Sequence, residues 1–244
     1  MARSLLWISG ASNGIGAALA ATVPWEDSRI IGISRSRPAD GIEHLEADLA
    51  DPSSWERVGD SFRKELAGFE GDRVVFVQAA GTIEPIGFAG EVDDRAYATN
   101  VLLNSAAPQV LGHLFLSAVR EVSADRAMVM LTSGAAKSVY PGWASYGAAK
   151  AATDQWTRDV GAEQAERGGV RVFSIAPGTV DTDMQALIRK TPEEDFPNRQ
   201  KFVDIHARGK LTPPEEVART IWSLLEGDDL DNGSVVDVRE LAAR

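Results

Sequence analysis

The N-terminal part of the chain reads LLWISGASNGIG over residues 5–16, and this stretch decides the fold. Residues 5–9 form a short apolar run typical of a buried strand, and the glycine-rich turn leads into a helical pattern over residues 14–23. This order predicts the first βαβ unit of a Rossmann-type sheet, in which the glycines let the backbone approach a dinucleotide's pyrophosphate at the helix N-terminus. The alternative is a glycine-rich turn that binds no nucleotide.

Outward from this stretch, short apolar runs alternate with longer helical patterns. Strands are predicted at residues 29–34, 73–78, 127–132, 170–176 and 235–238, with a short third strand before Asp48. Helices are predicted at residues 53–67, 93–119, 146–166 and 214–225. The runs at 73–78 and 127–132 are almost wholly apolar, as is typical of parallel strands covered on both faces. We therefore predict an α/β Rossmann fold, a doubly wound parallel sheet of about seven strands in a single domain over residues 1–244.

Composition limits the partners and the compartment. The 244 residues carry a formal net charge of -11, which disfavours nucleic acid and anionic membrane surfaces as partners. Cysteine is absent, which excludes disulfides and thiolate metal sites, and the three histidines show no ligand spacing, so no metal is expected. We find no export signal and no stretch near the roughly 20 apolar residues of a membrane span. A soluble, cytoplasmic protein is expected.

The segment 182–211 separates the sixth strand from the last long helix and mixes charged with large apolar residues. So long a connection is usually a functional lid or contains helices of its own. We predict a substrate lid at about 182–211. The alternative is a surface excursion with no role in binding.

Coenzyme preference is decided at the end of the second strand, which reads Ser34-Arg35-Ser36-Arg37. An acidic residue there would hold the ribose hydroxyl of NAD, whereas Arg35 offers a planar fork suited to a 2′-phosphate, with Ser34 or Arg37 as helpers. NADP(H) is the predicted cofactor. The alternative is two solvated surface arginines, which a clear preference for NADH would establish.

The candidate proton chemistry lies in Ser133, at the end of an apolar strand, and in Tyr146 and Lys150 on one face of a helix. Reduction of a carbonyl requires a proton for the developing alkoxide, and a phenol supplies it well when a nearby lysine cation lowers its pKa. Ser133 can hydrogen-bond the substrate oxygen where negative charge develops. Tyr140 is the rival tyrosine, but Ala144 stands where its lysine partner would be.

These motifs, in this order, resemble the short-chain dehydrogenase/reductase family over almost the whole chain. The resemblance rests on the glycine turn, Ala79-Ala80-Gly81, Asn100, Ser133, Tyr146-x-x-x-Lys150 and Pro177-Gly178. It implies that Asn100 holds a water in a proton relay through Lys150, and that Thr182 contacts the nicotinamide. The implied catalytic residues are Ser133, Tyr146, Lys150 and Asn100. The implied cofactor-binding residues are Gly10, Ser12, Asn13, Gly14, Ile15, Gly16, Ser34, Arg35, Asp48, Leu49, Ala79, Ala80, Gly81, Tyr146, Lys150, Pro177, Gly178, Val180 and Thr182.

A narrower resemblance concerns the substrate. The stretches SGAAK at 133–137, PGW at 141–143, PGTVDTDMQ at 177–185 and GKL at 209–211 are similar to benzil reductases that form (S)-benzoin, a subgroup itself similar to sepiapterin reductases. Such enzymes reduce one carbonyl of a vicinal diketone, which implies an apolar pocket. The candidate substrate residues are Ser133, Tyr140, Trp143, Tyr146 and Met184, with Phe196 and Phe202 as further wall candidates. The alternative is that these aromatic residues belong to the core or to a subunit interface.

Two other functions stay open. One is a reductase or dehydrogenase for another carbonyl or secondary alcohol, such as a 3-ketoacyl thioester, which would need a basic patch at the pocket mouth; the acidic stretch 193–195 argues against it. The other is a catalytically silent NADP sensor, which has no need of Ser133, Tyr146 and Lys150. The family resemblance also implies a homo-oligomer, a homodimer rather than a tetramer, paired through the helices at 93–119 and 146–166.

Overall fold

A seven-stranded, wholly parallel sheet forms the centre of the computed structural model, which describes residues 3–228 and 230–241 of the chain. The strands are β1 (Ser4–Ser9), β2 (Ser28–Ser34), β3 (Glu43–Glu46), β4 (Arg73–Gln78), β5 (Asp125–Leu131), β6 (Arg171–Ala176) and β7 (Val235–Asp237). The prediction of a doubly wound parallel sheet is confirmed.

Helices cover both faces of this sheet. They are α1 (Gly14–Ala21), α2 (Trp55–Leu66), α3 (Asp94–Val101), α4 (Ala107–Ala118), α5 (Ala144–Arg167), α6 (Asp183–Lys190), α7 (Arg199–Ala207), α8 (Pro214–Glu226) and α9 (Val238–Leu241). The sequence predicts one helix over 93–119, whereas a π-helical turn, Leu102–Ala106, separates α3 from α4. Hydrophobic periodicity cannot reveal that turn, because a single π turn inserts one residue and leaves the helix axis nearly continuous.

Two apolar clusters hold the layers together, one on each face of the sheet. Alternate residues of each strand point to opposite faces, so Trp7 and Phe76 pack beneath α2 and α4, while Ile8 and Val77 pack beneath α1 and α8. Trp7 is wholly buried and meets Phe62 edge to face, with ring centroids 5.1 Å apart. This core fixes the strand ends that carry the site.

The strand order β3-β2-β1-β4-β5-β6-β7 reverses direction between β1 and β4. Ligands of open α/β sheets bind outside the carboxyl ends of the strands at such a reversal. Here the two strand ends are tied together, because the backbone N–H groups of Ala79 and Ala80 both donate to the Ser9 hydroxyl at 2.9 Å. The glycine turn and the Ala79-Ala80-Gly81 stretch therefore face the same crevice.

The segment 182–211 contains the two helices α6 and α7, and its ends meet. Just outside it, the Asp181 N–H donates to the Thr212 carbonyl at 3.0 Å, and the Thr212 N–H donates to the Thr179 carbonyl at 2.9 Å. The segment covers a third apolar cluster that includes Trp143, Tyr146 and Phe196.

The helical stretch Asp94–Ala118 is long and apolar enough, by length and composition alone, to cross a membrane, although no stretch near the length of a membrane span was expected from the sequence. Length and composition alone are weak indications, since a core helix of a soluble protein passes the same test. This stretch also buries the polar side chains of Asn100 and Asn104.

Candidate active site

The glycine turn between β1 and α1 is shaped to admit a phosphate chain. Gly10 and Gly14 have φ angles of +69° and +54°, a backbone region that residues with a side chain rarely adopt. A methyl group on Gly10 would lie 3.0 Å from the backbone of Ala80, and one on Gly16 would collide with the Gly10 carbonyl. The turn therefore fits a dinucleotide, whose pyrophosphate would lie at the N-terminus of α1.

A cleft of about 580 Å³ extends from this turn along the sheet edge. Most of the expected cofactor residues line it: Gly10, Ser12, Asn13, Gly14, Ile15, Gly16, Ser34, Arg35, Asp48, Leu49, Ala79, Ala80, Gly81 and Thr182. The remaining ones, Tyr146, Lys150, Pro177, Gly178 and Val180, line an adjoining pocket of about 170 Å³. Ile15, Ala79, Gly81, Ile83, Thr182 and Met184 border both, so the two spaces meet where a nicotinamide would lie.

Arg35 borders the cleft beyond the end of β2 and is exposed. Within the described part of the chain it forms no ion pair, so its guanidinium is available to a ligand. Ser34 is less available, because its hydroxyl donates to the Ser36 carbonyl at 2.7 Å. Arg37 is exposed and does not border the cleft.

Asn13 links the glycine turn to the covering segment. Its side-chain oxygen accepts from the Gly14 N–H at 2.6 Å and caps α1, while its amide donates to Asp183 at the start of α6 at 2.9 Å. A methyl group on Gly14 would lie 3.5 Å from the Thr182 methyl. The start of the segment 182–211 therefore sits directly over the proposed phosphate position.

Ser133 and Tyr146 meet in the smaller pocket. Ser133 follows β5, and its hydroxyl accepts from the Ala135 N–H at 3.2 Å. Tyr146 lies in the first turn of α5 and is 7% exposed. Burial raises the pKa of Tyr146, and a hydrogen bond with the Ser133 hydroxyl acts in the opposite direction. The phenol is therefore protonated at neutral pH and poised as a proton donor.

Lys150 follows one helical turn later and is 6% exposed. Its ammonium donates to the Leu131 carbonyl at 2.8 Å and lies 5.8 Å from the centroid of the Tyr146 ring. Burial lowers the pKa of Lys150 to about 8, and the Asp154 carboxylate opposes that shift. The pKa of Tyr146 is thus raised rather than lowered as expected, and Lys150 is not among the causes of the shift.

The geometry around Asn100 differs from what the family resemblance implies. The Asn100 amide donates to the carbonyls of Glu84 at 2.7 Å and Thr82 at 3.3 Å. Asn104, in the π-helical turn, binds the backbone of Thr82 with both ends of its amide, at 2.8 and 3.0 Å. A methyl group on Gly81 would lie 2.8 Å from Asn104 Oδ1 and 3.7 Å from Lys150 Nζ. Asn104 therefore reaches the surroundings of Lys150.

Aromatic rings form one wall of the smaller pocket. Trp143 meets Tyr146 edge to face at 5.9 Å between ring centroids and packs against Tyr140 at 4.8 Å. Tyr140, Trp143, Met184 and Phe202 line the pocket, whereas Phe196 is wholly buried behind Trp143, stacked on it at 4.6 Å. Of the aromatic wall candidates, Phe196 is thus a supporting residue.

Two cationic residues of this pocket were not expected from the sequence. Lys201 of α7 donates to the Tyr140 hydroxyl at 2.6 Å, and Arg239, which follows β7, borders the pocket and pairs with Asp237. Neither is near Ser133 or Tyr146 in sequence, and no motif marks them. The acidic stretch 193–195 does not border this pocket.

A family model matches most of this chain, and two curated relatives match nearly all of it. The family model for short chain dehydrogenase matches residues 5–193. Two curated relatives are benzil reductases ((S)-benzoin forming): one from Bacillus cereus is 32% identical over 96% of this chain and 98% of its own. The other, from Bacillus subtilis (strain 168), is 33% identical over 96% of this chain and 97% of its own.

A solved structure is also similar. It is the crystal structure, with NADP bound at low occupancy, of a protein from Beutenbergia cavernae assigned as an NAD(P) dependent gluconate 5-dehydrogenase. Its sequence is 27% identical, the TM-score is 0.77, and the match covers 98% of this chain and 96% of that one. The similarity thus includes the glycine turn, the sheet and the segment 182–211.

Proposed function

This chain belongs to the short chain dehydrogenase family of oxidoreductases that act on carbonyl and alcohol groups, and we propose that it reduces one carbonyl of an aromatic vicinal diketone with NADPH. The observation that carries this proposal is the aromatic pocket lying directly against Ser133, Tyr146 and Lys150. Flat aryl groups suit a wall of Tyr140, Trp143 and Phe202. The similarity to two bacterial benzil reductases supports the same substrate class.

In this reaction the coenzyme supplies a hydride to the carbonyl carbon when bound. Ser133 hydrogen-bonds the carbonyl oxygen and holds it beside the phenol, and Tyr146 donates its proton to that oxygen as the alcohol forms. Lys150, cationic below about pH 8, stabilises the phenolate that Tyr146 becomes. The sum is ketone, NADPH and a proton giving alcohol and NADP⁺, and the reverse reaction would use the phenolate as a base.

The use of NADPH rests on Arg35. We expect Arg35→Gln to lower the preference for NADPH over NADH at least about tenfold, because a charge-assisted hydrogen bond to the 2′-phosphate is lost. The measurement is kcat/KM for each coenzyme with a fixed diketone. Arg120→Gln, at an exposed arginine outside the cleft, is the charge-matched control. Preference for NADH in the unaltered enzyme would contradict the assignment.

Asn104 is the better candidate for the relay position first assigned to Asn100. We expect Asn104→Ala to lower kcat about a hundredfold, since it frees the Thr82 backbone beside Lys150 and interrupts proton resupply. Asn100→Ala removes hydrogen bonds to Thr82 and Glu84 and should mainly lower the thermal midpoint. Both variants are compared by kcat and by Tm. A larger loss of kcat in Asn100→Ala would restore the original assignment.

The diketone assignment is tested with benzil and 1-phenyl-1,2-propanedione. NADPH oxidation is followed by absorbance, and the handedness of the hydroxyketone is determined by chiral chromatography. The proposal predicts reduction of one carbonyl with a single handedness. An enzyme that binds NADPH and leaves both diketones unchanged would refute the substrate class, and a wider ketone panel would then separate another reductase from a silent sensor.

The exposed apolar surface of α3 bears on how two copies of the protein would assemble. Val101, 41% exposed on α3, belongs to the apolar stretch 94–118 that, with α5, would pair two subunits. We infer a homodimer of single-domain subunits, a soluble cytoplasmic enzyme whose segment 182–211 acts as the substrate lid. The mass in solution tests the dimer.

A further inference from the structure

The pocket beside Tyr146 has an unusual charge composition for this protein. Its lining includes Lys150, Lys201 and Arg239, and among the described residues no aspartate or glutamate borders it. The chain as a whole has 36 acidic residues against 25 lysines and arginines. A concave site of one charge sign concentrates ligands of the opposite sign. The pocket is therefore an anion-attracting site on an acidic protein.

Lys201 carries a positive charge in this pocket that no carboxylate pairs with in the described part of the chain. Its ammonium donates to the Tyr140 hydroxyl at 2.6 Å and lies 4.9 Å from the centroid of that ring. It forms no ion pair with any residue in the described ranges. An ammonium has three donor hydrogens, so two stay available after the phenol has accepted one. A ligand carboxylate could take both.

Arg239 is a second cation of the pocket, and its charge is partly compensated by a neighbouring carboxylate. Asp237 accepts from its Nε at 2.8 Å and from its Nη2 at 2.5 Å. The side chain is nevertheless 58% exposed, and it passes over Gly178, where an added methyl group would lie 3.1 Å from Arg239 Cδ. Because Asp237 compensates much of this charge, Lys201 should contribute more to binding an anion.

Aromatic rings separate the Lys201 ammonium from the Tyr146 phenol. The Tyr146 ring contacts Trp143, and Trp143 contacts Tyr140, at 5.9 and 4.8 Å between centroids. Two aromatic rings, those of Trp143 and Tyr140, therefore lie in sequence between the Tyr146 ring and the Lys201 ammonium. A substrate anion bound by Lys201 would therefore lie along this aromatic wall, away from the carbonyl that is reduced.

We propose that the preferred substrate is a ketone that also bears a carboxylate, on the part of the molecule remote from the carbonyl that is reduced, with Lys201 and Arg239 as its anion site. This inference rests on the proposed function and narrows its substrate class. A carrier-bound substrate fits less well, since its phosphate lies at the far end of a long flexible arm, whereas both cations line the pocket of Tyr146.

The test compares 4-carboxybenzil with its methyl ester, which differ in charge and share the diketone. We expect kcat/KM with NADPH to favour the acid about tenfold, and Lys201→Gln to bring the ratio of acid to ester near one. Lys201→Arg should restore most of the preference, and Arg239→Gln should reduce it less. Lys64→Gln, an equal change of net charge on α2, should leave it unchanged.

A binding measurement separates this inference from the proposed function. The dissociation constants of the acid and the ester are determined on enzyme saturated with NADP⁺, where no reduction can occur, by quenching of tryptophan fluorescence. Tighter binding of the acid that Lys201→Gln abolishes supports the anion site even if neither compound is reduced, a result that would refute only the proposed reaction. Equal binding, or an equal loss for acid and ester in Lys201→Gln, overturns the inference, and no binding of either overturns both.

Discussion

Replacing Tyr146 by Phe should lower kcat/KM for diketone reduction about a thousandfold, because the variant loses the group that donates the proton to the alkoxide. The ring and its contact with Trp143 stay in place, so the pocket shape should not change. NADPH binding should be retained, since the glycine turn and Arg35 lie in the other half of the crevice. The measurement is the initial rate of NADPH oxidation with benzil.

Tyr97→Phe is the matched control for this variant. Tyr97 lies on α3, lines neither the cleft nor the smaller pocket, and loses the same hydroxyl group. Full activity in Tyr97→Phe with near-complete loss in Tyr146→Phe would assign the effect to the position. Retention of more than about a tenth of the activity in Tyr146→Phe would require another proton donor.

Replacing Lys150 by Met should abolish most of the activity and leave the fold at least as stable. The methionine fills a similar volume but cannot stabilise the phenolate of Tyr146, so we expect kcat to fall about a hundredfold or more. Burial of the ammonium costs stability, and the same burial lowers the pKa of Lys150 from its ordinary value of 10.5 to about 8. Calorimetry at pH 7 and the benzil assay measure the two effects.

The sign of this stability effect follows from proton binding. Between about pH 8 and the pKa of the unfolded chain, the unfolded protein binds more protons, so stability rises with pH through that window. Below it the folded state carries the full net cost of the charge, on the order of 3 kcal/mol. Lys150→Met should therefore not lower Tm at pH 7, and a large fall would show that the ammonium stabilises the fold.

The lowered pKa of Lys150 also determines the expected pH dependence of the unaltered enzyme. Reductase activity should be highest below about pH 8 and fall as Lys150 loses its proton above it, while Tyr146 keeps its own. The profile of kcat against pH from 6 to 10 measures this. A rate that rises through pH 8 would contradict the assigned protonation states.

The fold and the position of the cleft beside the glycine turn follow from contiguous sequence motifs and could be predicted. The glycine turn, the apolar strands and Arg35 are contiguous motifs, and parallel strands bring their carboxyl ends to one edge of the sheet. The Ala79-Ala80-Gly81 stretch lies against the glycine turn because the Ser9 hydroxyl accepts from the two alanine N–H groups.

Features that depend on tertiary packing could not be predicted. Asn104 rather than Asn100 reaches the Lys150 surroundings because a π-helical turn changes the phase of the helix. The pKa of Tyr146 rises because the segment 182–211 and Trp143 bury the phenol, which no spacing reveals. Lys201 and Arg239 come from separate elements and meet at the pocket only in the folded chain.

The proposed reaction is tested by following the label from NADPH that carries deuterium at both C4 positions of the nicotinamide to benzil. The hydroxyketone product is analysed by mass spectrometry and NMR. We expect one deuterium, on the carbinol carbon, in a single enantiomer of benzoin, with the second carbonyl intact. Absence of benzoin despite bound NADPH, or benzoin without deuterium at that carbon, would contradict it.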